Sequence, residues 1–283
     1  MFSLPLWFIL AVITGLASVC FNFINRVVLK DGDDPTAYAW YTEFLRFFVF
    51  GILVFFDWHI ILTPYSILLF VLLGLTELFS VYWYMKMHAY SHLSISAIIS
   101  RTRLIWVPLL AFFLVNEQLH LPDYIGILII FVGISVTMAP KKMFIDKGAL
   151  YANLSAFMIA LNIVIAKMLL PYGSNAVINF TLVLPSVFLF PLLMKNPQAR
   201  IKTLLKTNLG LKTLAVSFSI VVLFLFVVAL RHGDASKINA VYQSMMVFTV
   251  LAGIIFLKER EHIVKKLIGA TVTIVGVVLL SFS

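Results

Sequence analysis

Residues 94–136 read SISAIISRTRLIWVPLLAFFLVNEQLHLPDYIGILIIFVGISV, and residues 236–280 read SKINAVYQSMMVFTVLAGIIFLKEREHIVKKLIGATVTIVGVVLL. Set within 93–139 and 235–281, the two stretches are copies of one pattern. Each runs from an apolar helix through a short polar turn with a glutamate into a second apolar helix with glycines seven apart. Glu117 and Glu259 lie 142 apart, as do His120 and His262. One residue is then inserted, and Gly126 and Gly133 match Gly269 and Gly276 at an offset of 143. Internal repetition in an almost wholly apolar chain points to a transporter built from two halves with a site between them.

The rest of the chain has the same character. Hydrophobic residues make up 62% of 283, and mean hydropathy is +1.06. That much apolar surface cannot be hidden from water in a chain of this length, so the solvent is lipid. The apolar runs are long and unbroken rather than alternating, which selects helices over an outer-membrane barrel. Helices are predicted near 5–29, 37–56, 65–87, 94–115, 121–139, 148–170, 174–194, 209–230, 236–257 and 263–281, each about twenty residues long. The expected fold is therefore all-α and membrane-embedded, with ten transmembrane helices in two five-helix repeats, 1–143 and 144–283. An odd number of spans per repeat turns the second half upside down, giving inverted repeats.

The N-terminus has no basic region and no small-residue cleavage site ahead of its apolar run, so it reads as a first helix rather than a signal peptide. The single cysteine, Cys20, forms no disulfide within the chain. The basic segment 195–208, with Ile201, Leu204 and Leu205 in an apolar pattern, reads as the longest loop, lying on the membrane surface. The net charge of +9 reports topology rather than an anionic partner. Fifteen Lys and Arg lie near one set of helix ends and only Lys167, Arg231 and Lys237 near the other. The positive-inside rule then puts both termini on the non-cytoplasmic side.

The duplicated five-helix unit resembles the EamA-type branch of the drug/metabolite transporter superfamily. The likeness rests on the segments Leu114-Val-Asn116-Glu117 and Phe256-Leu-Lys258-Glu259, on Asp34-Pro35 before the second helix, and on Arg46 inside it. The family commonly has glycine before the glutamate, where this chain has Asn116 and Lys258. Many members also have cytosolic termini, opposite to the charge bias here. The resemblance implies a secondary transporter with a cavity among helices 1, 3, 4, 6, 8 and 9. The substrate is expected to be a small polar metabolite, an amino acid or organic anion. The alternatives are a multidrug or cationic-metabolite exporter and a flippase for a phosphorylated lipid carrier.

Ionisable groups at bilayer depth are costly unless paired or hydrated, so each is a functional candidate. Glu43, Arg46, Glu77, Arg101 and Arg103 all fall in the first half. Glu43 and Arg46, three apart, share a helix face and read as a structural ion pair. Arg101 aligns with Gln243 in the repeat, beside Asn239 on the same stripe, so Arg101 is the substrate-binding candidate. Two residues further on, Arg103 points about 200° away and is expected in an ion pair with Glu77 or Glu43. Glu77, a buried acid near arginines, is the candidate for proton coupling. Asn22 and Asn162 match between the first and sixth helices, and Tyr84 and Tyr242 are candidate cavity walls.

His88 and His92 are four apart, but no metal site is expected. No nucleophile elbow, phosphate loop, CxxC or HExxH motif occurs, so neither an enzyme nor a cofactor is expected. The expected partners are the substrate and the lipid bilayer, with no nucleic acid, in a monomer or homodimer. A bacterial or archaeal inner membrane is the expected location.

Overall fold

The computed structural model describes residues 4–30, 34–90, 99–138, 147–248 and 263–282. Among these the chain is helical, with no strand and one isolated bridge between Ile60 and Gly173. In order come α1 (Leu6–Lys30), α2 (Pro35–Phe56) and α3 (Pro64–Tyr90), then α4 (Arg103–Val115) and α5 (Leu121–Met138). The second half has α6 (Lys147–Leu169), α7 (Asn175–Leu193), the short α8 (Pro197–Leu204), α9 (Leu209–His232), α10 (Ala235–Ser244) and α11 (Ile263–Ser281). Seven of these are long and apolar enough to cross a membrane, and Leu121–Thr137 is a shorter apolar helix. The protein is thus an integral membrane protein. Large apolar side chains such as Phe55, Leu192 and Phe113 point outward at 87%, 79% and 70% exposure, a surface suited to lipid and not to water.

The helix ends follow local chemistry. Asp34 caps α2, its Oδ1 accepting from the Thr36 and Ala37 amides at 3.0 and 3.2 Å, and Pro35 supplies a preset first turn. Ser174, 140 residues later, caps α7 by accepting from the Val177 amide at 3.2 Å. Asn116 ends α4 in the left-handed region at φ 53°, where Asn is among the few residues tolerated. The basic segment folds into α8, anchored by buried Leu204. The ammonium of Lys212, wholly buried, donates to the carbonyls of Leu204 and Thr207 at 2.7 and 2.6 Å.

The most extensive helix contacts all join the two halves: α5 with α11, α3 with α6, α1 with α9, and α2 with α7. The repeated glycines explain the first of these. A Cβ on Gly133 would lie 2.8 Å from the Gly269 carbonyl, and one on Gly269 would lie 2.6 Å from the Gly133 carbonyl. Gly126 and Gly276 meet in the same way, with approaches of 3.2 and 2.8 Å. The earlier glycine of one helix therefore meets the later glycine of the other, so α5 and α11 pack antiparallel with their backbones in contact.

Polar contacts tie the loops on the two faces. On one face Arg200 of α8 grips the Asp34 carboxylate, with Nη2 2.7 Å from Oδ1. These hydrogen bonds hold the Asp34 carboxyl below the usual carboxylate range. On the other face the Ile61 amide donates to the Tyr172 carbonyl at 2.7 Å and the Ser174 amide to the His59 carbonyl at 2.9 Å. There Lys237 does not reach out to the interface, as its place near a helix end implies. Its ammonium pairs instead with buried Asp123 at 3.0 Å. Lys167 likewise donates to the Gly233 carbonyl at 2.7 Å, at the end of α9.

Candidate functional site

The helices carrying the repeat, α4 and α10, are irregular at adjoining repeat positions. A 3-10 turn, Ser100–Thr102, precedes α4. α10 stops at Ser244 and turns at Met245 before helical residues 246–248. Each break carries the same local bond. The Thr102 hydroxyl donates to the Ile99 carbonyl at 2.7 Å, and the Ser244 hydroxyl to the Val241 carbonyl at 2.6 Å. Both partners of one bond lie 142 residues from their counterparts in the other. Hydroxyls that bond back onto the preceding turn loosen the regular helix, and short 3-10 stretches inside a span mark functional positions.

The two breaks face each other. Arg101 Nη1 donates to Gln243 Oε1 at 3.1 Å, a contact between repeat-equivalent residues. The Gln243 amide in turn donates to Asn239 Oδ1 at 3.3 Å. Arg101 is 6% exposed, Asn239 0% and Gln243 1%, so this polar group is enclosed where the halves cross. Arg101 Nη2 contacts the Met246 sulfur.

Arg103 departs from its expected ion pair. Its guanidinium lies over the Tyr242 ring, 5.5 Å from the centroid. Among the described residues neither Arg101 nor Arg103 has a carboxylate at ion-pair distance, and the Nε of each lacks a hydrogen-bond partner. The 200° separation presumes a regular α-helix, whereas Arg101 sits in the 3-10 turn. Tyr84, another expected cavity wall, is 41% exposed, unlike the enclosed Arg101, Asn239 and Gln243. Tyr242 is held by Phe226 at 5.4 Å, edge to face, and its hydroxyl shares a 3.0 Å hydrogen bond with Ser18.

Asn22 and Asn162 are not brought together. Asn22 donates to Ser18 Oγ at 3.2 Å and so supports Tyr242. Asn162 joins the carboxylate: its amide donates to Glu77 Oε2 at 2.7 Å, and its oxygen accepts from Thr76. Ser80 Oγ also donates to Glu77 Oε2 at 3.0 Å. Glu77 therefore meets amide and hydroxyl donors rather than Arg101 or Arg103, and the charges acting on it are those of Glu43 and Arg46. Arg46 bonds Glu43 at 2.6 Å and donates from Nε to Ser219 Oγ at 3.1 Å. Polar groups of the first half thus form two clusters, Arg101–Arg103 and Glu43–Arg46–Glu77.

Sequence reasoning passes over Asn153, whose Oδ1 accepts from the Trp106 ring nitrogen at 3.1 Å and lies 2.9 Å from the Thr102 hydroxyl, so that α6 steadies the turn before α4. The rule that flags Asn22 and Asn162, an amide inside an apolar helix, also applies to Asn153. Glu117 has a clear role: its carboxylate accepts from the Ala235 and Ser236 amides at 2.9 and 3.0 Å, capping α10 from the other half. Its counterpart Glu259, and the side chains of His88 and His92, lie outside the described residues. Among the described residues no three His, Cys, Asp or Glu gather in a metal-binding group.

A family model described as the EamA-like transporter family matches the chain twice, over residues 5–139 and 146–282. No curated protein matches the chain in sequence. A solved crystal structure shares its fold with a TM-score of 0.74 at 13% identity, covering 98% of this chain and 99% of that one.

Proposed function

The chain belongs to the EamA-like transporter family, and from that premise we propose that it carries a small polar metabolite, an amino acid or organic anion, by alternating access. The observation that carries the substrate reading is the pair at the crossing, buried Arg101 and half-buried Arg103, each with an enclosed Nε and without a carboxylate partner among the described residues. A buried guanidinium without a counter-charge is strongly disfavoured, and its planar fork suits carboxylate or phosphate. Arg101, Tyr84, Tyr242, Gln243 and Asn239 form this pole. Asn22 supports it through Ser18, and Glu77 with Asn162 forms a second pole that takes up and releases the coupling proton.

The architecture proposed is ten spans in two inverted halves, 1–143 and 144–283. Antiparallel packing of the equivalent helices α5 and α11 supports it, because a two-fold axis normal to the membrane would leave equivalent helices parallel. The unequal distribution of Lys and Arg supports non-cytoplasmic termini, in a prokaryotic inner membrane. A reporter fused after Ser283 is expected to read as non-cytoplasmic, and a cytoplasmic signal reverses the orientation. Melting of the purified protein against a metabolite panel tests the substrate class. Ligands of the folded state raise the transition by mass action, and stabilisation by cations alone would overturn the anion reading.

A further inference from the structure

The charge balance at the crossing says more than that an anion binds. The geometry points to a compact dianion, a phosphate monoester, as the group held between Arg101 and Arg103. This rests on reading the chain as a transporter with its site at that crossing.

The two guanidiniums lie against neighbouring residues of α10, Arg101 on Gln243 and Arg103 over Tyr242, and a single negative charge would leave one of them uncompensated. Around them the described structure supplies only neutral groups. Gln243 takes one Nη of Arg101 at 3.1 Å, and Tyr242 lies beneath Arg103. The carboxylates Glu43 and Glu77 belong to the other cluster, around Arg46. The Nε of each arginine remains a buried donor without a partner. Those two donors, with two positive charges, suit a phosphate carrying two charges and several acceptor oxygens, whereas one carboxylate has two oxygens and one charge. The 3-10 turn at Ser100–Thr102 and the turn at Met245 add specificity of place, since irregular backbone in corresponding parts of two halves marks substrate sites in transporters.

The test uses the purified full chain and four probes: phenyl phosphate, sulfate, succinate and acetate, each titrated at pH 7.5 and pH 5.0. The second ionisation of a phosphate monoester falls near pH 6. Phenyl phosphate affinity is therefore expected to fall about tenfold at pH 5.0, as the dianion becomes the minor form. Sulfate, a dianion at both values, is expected to bind equally at each, because the ionisable groups at the site among the described residues are the two guanidiniums and the Tyr242 phenol. Arg101→Gln and Arg103→Gln should each weaken phenyl phosphate at least tenfold, and the exposed Lys202→Gln should leave it unchanged. If either arginine variant misfolds, Arg103→Lys keeps the charge and tests the fork alone. Acetate binding as tightly as phenyl phosphate overturns the dianion and leaves the anion transporter standing. Tighter binding of succinate assigns two separated carboxylates and also overturns the phosphate. An equal pH dependence for sulfate places the titration on the protein and overturns the proposal. If no probe binds while another metabolite stabilises the protein, the proposal fails and the transporter reading survives.

Discussion

The glycine seam between α5 and α11 and the crossing of α4 with α10 are built from the same duplicated stretch, yet they have diverged differently. At the seam both copies keep the same residues, and Gly126, Gly133, Gly269 and Gly276 meet as reciprocal pairs. At the crossing the copies share only the backbone break and its hydroxyl, Thr102 in one and Ser244 in the other. The side chains around it differ: Arg101 faces Gln243, and Arg103 occupies the place that Met245 takes in the second half. A contact that only holds the halves together tolerates symmetry and is constrained by it. A contact that recognises a ligand has one ligand to fit and gains from asymmetry. The seam therefore reads as scaffold and the crossing as chemistry.

Breaking the seam should have the largest effect. In Gly133→Leu the new side chain has the Thr273 amide nitrogen 2.6 Å from its Cβ, which is backbone that cannot rotate away. Overpacking already costs about 1–3 kcal/mol for small insertions, so no folded monodisperse protein is expected in size-exclusion chromatography. Gly276→Leu should fail equally, because its Cβ would lie 2.8 Å from the Gly126 carbonyl. Gly210→Ala, where nothing lies within 4 Å, should fold normally. Folding of either seam variant with native yield would show that the glycines are not what sets the helix distance.

The crossing should respond in the opposite manner, with function lost and fold retained. Arg101→Ala is expected to reduce transport at least 100-fold, which corresponds to about 2.7 kcal/mol. Arg103→Lys keeps a charge over the Tyr242 ring and should cost about tenfold or less. Flux in proteoliposomes reads both. Equal losses would mean that the two arginines act as one unit.

This contrast also explains how far the sequence could be read. The predicted windows for α1, α2, α3, α5, α6, α7, α9 and α11 lie close to the observed helices because apolar run length and flanking Pro, Gly and Asp report them directly. The segment 195–208, read as a loop, holds the short helix α8, whose eight residues are too few for a periodic signal. The direction of Arg103 was not, because a regular helical wheel has no place for a 3-10 turn one residue earlier. Partners on remote helices were also illegible. Glu77 with Asn162 is separated by 85 residues, and Lys237 with Asp123 by 114, and no local pattern links either pair.

The shared glutamate gives an intermediate effect. Glu117→Ala removes two charge-assisted bonds from the first turn of α10. Caps are worth about 0.5–2 kcal/mol, and buried unsatisfied amides somewhat more. A loss of about 2 kcal/mol in unfolding free energy is expected, with a matching loss for Glu259→Ala if the repeated glutamates are as equivalent as the seam glycines. A large effect from Glu117 alone would assign this pair to the diverged class. Glu77→Gln should have a smaller effect on stability, under about 1 kcal/mol, because an amide oxygen still accepts from Asn162 and Ser80. Its transport should become insensitive to pH while substrate exchange persists. Preserved pH dependence would remove Glu77 from coupling.

The smallest expected effect compares the two loop faces. On one, Arg200 and Asp34 form an ion pair whose side chains are 33% and 28% exposed. On the other, residues 59–61 meet 172–174 through backbone bonds. Arg200 holds the Asp34 carboxyl below its ordinary value of 3.8, chiefly through its hydrogen bonds. A carboxyl depressed in the folded state stabilises the fold at pH values above its unfolded pKa, and that contribution is lost as pH falls through the lower folded value. Exposed pairs are screened, so Arg200→Gln should cost under about 1 kcal/mol at pH 7 and less in high salt. Melting curves of the variant and the parent should converge below the ordinary carboxylate range. A gap that persists undiminished at pH 2 would mean that Arg200 works by packing α8 against α2 rather than by its charge.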